Sequence, residues 1–267
     1  MAVEIEDRDL VGEMISAAED LVKTHFAKLR VDPSHDWHHV HRVRQMSIWL
    51  SRCPSLPTEP DMITLELAAL FHDMADAKYD PTASARTLLS PFLLRYPQIL
   101  EEEQVNLIIR IVENVSWSKD QKRRAERQKR EAAGLEETVE EGERRKWEES
   151  CSELACVSDA DRLDAIGSMG ILRVAAFSGA KDRPLHIPPA NPAGDSVPPA
   201  EQGEGYNSSA IAHFHDKLLK IRGERLRTET AKQEAERRQM MMKSFLDELD
   251  LEWQIADQGA QLAIFEG

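Results

Sequence analysis

Apolar residues recur along this chain at helical spacing, with no convincing strand-like alternation and no internal repeat. Residues 7–30 place Leu10, Met14, Ala17, Leu21 and Val22 on one side of an amphipathic helix, which Asp32-Pro33 ends. Ser34 or Asp36 can cap a second helix running through His39, Val43, Met46 and Leu50. The segment CPSLPTEP at 53–60 reads as a loop. From Met62 to Met74 the stretch LELAALFHDM is apolar almost all round, which predicts a central buried helix. Asp80-Pro81 opens a short helix through Leu94, and residues 98–115 form another with Val105, Ile108, Ile109 and Val112 inward.

Residues 118–149 break this pattern. A basic half, KDQKRRAERQKR, precedes an acidic half, EETVEEGERRKWEE, and the stretch reads as a solvated helical excursion or, more sharply, a partner-binding arm. A single apolar helix follows from Ser152 to Ala176, and the Pro- and Gly-rich residues 184–206 form a loop. Helices over about 208–226 and 228–257 close the chain, with Phe214, Leu218, Leu219, Leu226, Met241, Phe245, Leu249 and Trp253 as apolar positions. The run Met240-Met241-Met242 is expected to fill core.

Composition supports an all-α, single-domain reading of the 267 residues. Apolar residues make up 41 % and aromatics only 6 %, a balance that favours helix over sheet. The net charge of −14 argues against a duplex nucleic-acid surface, because backbone phosphates demand clustered positive charge. Three cysteines without CxxC spacing are expected to be free, buried thiols. The acidic N-terminus lacks a signal-peptide pattern, and no apolar run reaches the ~18 residues of a membrane span. A cytoplasmic protein is the expectation, with the nucleus as the alternative and no membrane partner.

Three segments carry candidate chemistry. HDWHHVH holds His35, His38, His39 and His41. ALFHDMADAK puts His72 and Asp73 at the end of the apolar helix, where unpartnered polar groups would cost several kcal/mol. SDADRLDAIG crowds Asp159, Asp161 and Asp164 into what reads as a helix start, favoured there by the helix dipole. Imidazoles and carboxylates from separate helices form a mixed nitrogen and oxygen donor set. It suits Mn²⁺ first, with Mg²⁺, Co²⁺, Fe²⁺ and Ni²⁺ also compatible, rather than a closed zinc site. The bland alternative is a set of hydrogen-bonded structural side chains.

The order His … His-Asp … Asp on successive helices resembles the HD superfamily of metal-dependent phosphohydrolases. HDWxHxxRV, HDxADxKY, ENVSW, DADRLDAIGxxGI and HFxxKLLKI together resemble, more narrowly, its bacterial YpgQ/YedJ-like group. The resemblance implies an HD-domain helical bundle with a core of about 7–117 and 150–257. The charged helical stretch at about 118–149 and the Pro-rich loop at about 184–206 are then insertions. It selects His39, His72, Asp73 and Asp161 as metal ligands. Asp73 would bridge metal and water, and Asp76 would orient or deprotonate that water. Lys78, Arg42 and Arg162 are candidates for neutralising phosphate oxygens, although Arg162 equally suits an ion pair with Asp159. His35 and Asp36 would support a ligand from behind. His38 and His41 read as surface or packing residues, and His213 and Lys217 as pocket-lining or structural.

The implied reaction is hydrolysis of a nucleoside triphosphate between the α and β phosphates. A nucleoside monophosphate phosphatase, a non-catalytic metal or nucleotide sensor, and a helical scaffold are the competing readings. A homodimer through the last helices is also compatible with their apolar faces.

Overall fold

The computed structural model describes residues 2–29, 31–75, 84–187 and 209–265. Among them every regular element is helical. They form two compact units that interleave in sequence. The first comprises Met1–Val31, His35–Arg162 and Leu226–Ala231; the second comprises Asp32–Ser34, Leu163–Arg225 and Lys232–Gly267.

The first unit begins with α1 (Ala2–Leu29), α2 (Trp37–Leu50) and α3 (Met62–Phe71). Asp36 and Asp61 cap α2 and α3, their carboxylates accepting from the backbone N–H of His39 and Thr64. The nearly all-apolar α3 is the buried centre: Leu65 and every residue from Leu67 to Phe71 are fully buried, and it packs against α1, α2 and α5 (Glu102–Asn114). Val105, Ile108, Ile109 and Val112 turn inward from α5, while Leu10 on α1 faces solvent and Met14, Ala18, Val22 and Phe26 form its buried stripe. The helix expected from Asp80-Pro81 appears as α4 (Ala85–Leu93), capped by Ser84; residues 76–83 lie outside the described set.

The charged stretch forms α6 (Trp117–Ala132) and α7 (Val139–Ser150), joined by ion pairs Arg123–Glu148 at 3.2 Å and Arg130–Glu141 at 3.7 Å. Next comes α8 (Ser152–Asp164), a buried helix that ends earlier than its apolar pattern implied.

The second unit takes over at that break. Gly167 adopts φ +73°, open to glycine at little cost, and opens α9 (Gly167–Ala180). A side chain at Gly170 would run into the Ala165 carbonyl oxygen. Hydrophobicity alone cannot register these two backbone requirements, so one expected helix becomes two. The region expected as a helix over 208–226 is α10 (Ala210–Asp216) followed by two 3₁₀ turns, Leu218–Lys220 and Gly223–Arg225. The final helix, α11, spans Glu229–Phe265. Its three methionines do not share a fate: Met242 is buried, but Met240 is 64 % and Met241 45 % exposed. Successive positions on a helix are turned about 100° apart, so one face cannot bury all three. Most of the Pro-rich loop lies outside the described residues.

Candidate metal centre

All four implied ligands belong to the first unit. The Asp36 carboxylate accepts the His39 N–H at 3.0 Å, so the cap that starts α2 also fixes the turn carrying that imidazole. His39 is fully buried. His72 follows the last residue of α3, and its Nδ1–H donates to the Ala69 carbonyl at 2.8 Å. That bond leaves the Nε2 lone pair of the neutral ring free for another partner.

His72 Nε2 lies 3.2 Å from His39 Nε2. Asp73 Oδ2 stands 3.3 Å from the His39 nitrogen and 3.4 Å from that of His72. Asp161 Oδ1, from α8, is 3.6 Å from His39 Nε2. One donor atom each from His39, His72 and Asp161 falls within 4.8 Å of the others. Asp73 Oδ2 is buried and accepts no well-aligned hydrogen bond among the described residues. Leaving such an oxygen unsatisfied is expensive. The imidazole nitrogens of His39 and His72 with the Asp161 carboxylate, and the Asp73 carboxylate beside both imidazoles, fit a divalent cation, which would give Asp73 Oδ2 its partner.

The electrostatics agree. Burial disfavours a charged His72, but the carboxylates of Asp73 and Asp161 outweigh it and lift its pKa to about 9. Burial likewise opposes an ionised Asp73, and His72 and His39 overcome it, holding Asp73 well below the usual carboxylate range. The metal-free centre therefore keeps a proton where a cation would lie.

The other expected residues separate clearly. His35 packs edge-on to His39, with ring centroids 5.9 Å apart. His38 is exposed, and His41 packs against Trp37. Arg42 is half-buried on α2, one turn beyond His39. Asp76 and Lys78 lie outside the described residues. His213 on α10 and Lys217 at its C-terminal end belong to the second unit.

Arg162 is only 2 % exposed, and its guanidinium faces Asp120 at 3.4 Å and Asp159 at 3.7 Å. The ion-pair role is the one this geometry displays. The three acids of SDADRLDAIG do not open a helix, because α8 starts at Ser152. Asp159 instead accepts the N–H groups of Arg227 and Thr228 and the Thr228 hydroxyl, bonds of 2.7–3.0 Å that pin the start of α11. In the second unit, Asp164 pairs with Arg173 at 3.2 Å.

Two contributors escape sequence reasoning. His25 donates a ring N–H to the Met74 carbonyl at 3.0 Å, bracing the turn that carries His72 and Asp73. Asp120 is buried opposite Arg162 although it sits in a stretch that reads as solvated. Only their spacing on amphipathic faces could have hinted at either.

These features define an all-helical protein with a mixed imidazole–carboxylate centre suited to a divalent ion. The chain belongs to the HD domain family, whose pattern matches residues 36–166. It is 30 % identical over 235 residues to an uncharacterised protein, YpgQ, from Bacillus subtilis strain 168, covering 86 % of this chain and 90 % of that one. The crystal structure of YpgQ in complex with ADP superposes with a TM-score of 0.60 at 25 % identity, over 89 % of this chain and 97 % of that one. An HD-superfamily hydrolase from Bacillus thuringiensis gives a TM-score of 0.60 at 29 % identity, over 91 % and 98 %. The fold is thus that of the HD-superfamily hydrolases. No single helix among the described residues is long and apolar enough to cross a membrane.

Proposed function

We propose that this chain is a metal-dependent phosphohydrolase that cleaves nucleoside triphosphates between the α and β phosphates. His39, His72, Asp73 and Asp161 hold the metal, with Mn²⁺ as the first candidate. The observation that carries the reading is the convergence of the His39 and His72 Nε2 atoms with Asp73 Oδ2, all within 3.4 Å. When bound, a divalent ion lowers the pKa of water and polarises a phosphoryl oxygen.

The chain's own residues prepare that chemistry. The Ala69 carbonyl orients His72, and Asp36 fixes the His39 backbone. Asp73, ionised across the neutral range, draws in the cation and accepts a hydrogen bond from the attacking water. Asp76 takes the water's proton and Lys78 neutralises phosphate oxygens, roles that follow from the HDxADxKY resemblance. Arg42, one turn from His39, adds a second positive charge for phosphate. A nucleotide substrate is supported by the ADP complex of YpgQ.

The test is hydrolysis of nucleoside tri- and monophosphates by the full chain with Mn²⁺, Mg²⁺, Co²⁺ or EDTA, with products resolved by chromatography. Pyrophosphate and nucleoside monophosphate, lost with EDTA, are expected. Orthophosphate from monophosphates alone would replace this reading with the phosphatase. No turnover of any phosphate ester or anhydride would sink both.

A further inference from the structure

Two of the ligand-bearing segments join the second unit within a few residues of a single side chain. The chain passes from Ser34 through His35 to the Asp36 cap and His39, and the last turn of α8 runs from Asp161 to Asp164. Ser34 and Asp164 belong to the second unit, and Arg173 of α9, in the same unit, binds both. Its Nε–H donates to the Ser34 carbonyl at 2.7 Å, across 139 residues of sequence. Its Nη1–H donates to Asp164 Oδ2 at 3.2 Å.

This contact is enclosed and directed. Ser34 is 2 % exposed, and the side chains of Asp164 and Arg173 are 2 % and 11 % exposed. Asp32 Oδ1 accepts the Ser34 N–H at 2.9 Å and also its hydroxyl, so the turn that presents the carbonyl is itself held. Two donors of one planar guanidinium fix direction as well as distance, where an ammonium supplies a point charge. From Ser34, two residues of chain lead to Asp36, whose carboxylate takes the His39 N–H at 3.0 Å. From Asp164, one helical turn leads back to Asp161. Stability alone does not call for such a contact, because well-packed apolar side chains often replace a buried ion pair at no loss. An apolar pair could not tie a loop carbonyl and a helix end to one rigid group.

We propose that Arg173 is a positioning residue for the metal centre, setting His39 and Asp161 in register by clamping Ser34 and Asp164. The role rests on the metal centre proposed above. It also carries a sign. Charge alone would make Arg173 oppose a nearby cation, so removing it would strengthen metal binding. Loss of position weakens it.

The experiment titrates the metal-free full chain with Mn²⁺ calorimetrically and follows amide hydrogen exchange of residues 35–40 in EDTA. Arg173→Gln should weaken Mn²⁺ binding by about ten- to a hundredfold. It should also quicken exchange at the His39 and Val40 amides, which bond to Asp36. Arg173→Lys keeps a charge for Asp164 where Arg173→Gln fails to fold, and should lose at least about threefold because the fork is gone. The control is Gln239→Ala, which removes buried bonds to the Leu218 and Ile221 carbonyls in the same unit. It should lower the thermal midpoint and leave Mn²⁺ affinity unchanged. Unchanged or raised affinity in the folded Arg173 variants overturns the proposal. So does a weaker affinity with unchanged amide exchange, or an equal loss in Gln239→Ala, which would mark general loosening. A wild-type chain that binds no Mn²⁺ overturns the metal centre itself, and this role with it.

Discussion

The metal centre and the α6–α7 cleft are two partly enclosed collections of charge, one built on imidazoles and carboxylates and the other on guanidinium groups and carboxylates. At the first, carboxylates and imidazole nitrogens converge, and His72, held between Asp73 and Asp161, keeps a proton up to about pH 9. At the second, seven arginines face seven acids, and several guanidinium groups share Glu148 and Asp120. An imidazole can adjust its charge to its surroundings, and an arginine cannot. The first region can therefore rest in a protonated form and exchange that proton for a metal. The second keeps its guanidinium charges throughout the physiological range and depends on its own acids to balance them.

The largest expected effect is at the first region. Asp73→Ala or His72→Ala should lower nucleotide hydrolysis by roughly a hundred- to a thousandfold, the loss typical of removing one stabilising group at a reacting centre. Steady-state turnover at saturating Mn²⁺ checks it, and near-normal rates would break the comparison at its root. The second region should respond in stability. Asp120→Ala removes one of the carboxylates that face the buried Arg162, and should destabilise the fold by about 3–5 kcal/mol. Urea unfolding with the slope held fixed would measure this. A loss below about 1 kcal/mol would mean that Arg162 finds solvent.

A smaller effect isolates support from ligation. His25→Ala frees the Met74 carbonyl and should weaken metal binding by about ten- to a hundredfold without changing helix content. A titration of metal-free protein showing unchanged affinity would reduce this contact to packing. The metal-free fold should also lose stability with pH. The His72 pKa is raised from 6.5 to about 9, so its contribution is complete below pH 6.5 and disappears as pH rises through 9. The expected fall is roughly 1–3 kcal/mol, readable from unfolding in EDTA at pH 6 and pH 9.5. Least affected should be Arg145→Ala. Its partners Glu137 and Glu149 are solvent-accessible, and the thermal midpoint should not move.

How much of this was legible in the sequence depended on whether neighbours along the chain or across it decide the outcome. The all-round apolarity of LELAALF announces a buried helix because burial on every side needs nothing else. The polar pair after it stands out for the same reason. His39 and Asp161 are different: four histidines and three aspartates compete locally, and only the motif register singled out one of each. The structure then brings the donor atoms of those two beside His72 and Asp73. The break at Gly167 stayed hidden because a positive φ and a close carbonyl leave no mark on hydrophobic periodicity. Asp120 and the shared Glu148 stayed hidden because a charge run looks solvated until partners from α8 and Arg227 arrive across the fold.

The most direct test of the central claim is a calorimetric titration of metal-free protein with Mn²⁺ near pH 7, repeated in buffers of different ionisation heat. With the His72 pKa at about 9, the metal must displace its proton. One Mn²⁺ per chain should bind with release of about one proton. That binding should vanish in His72→Ala and strengthen about tenfold per unit of rising pH. Saturable binding with no proton release, or binding that persists in His72→Ala, would contradict a metal centre built on these residues.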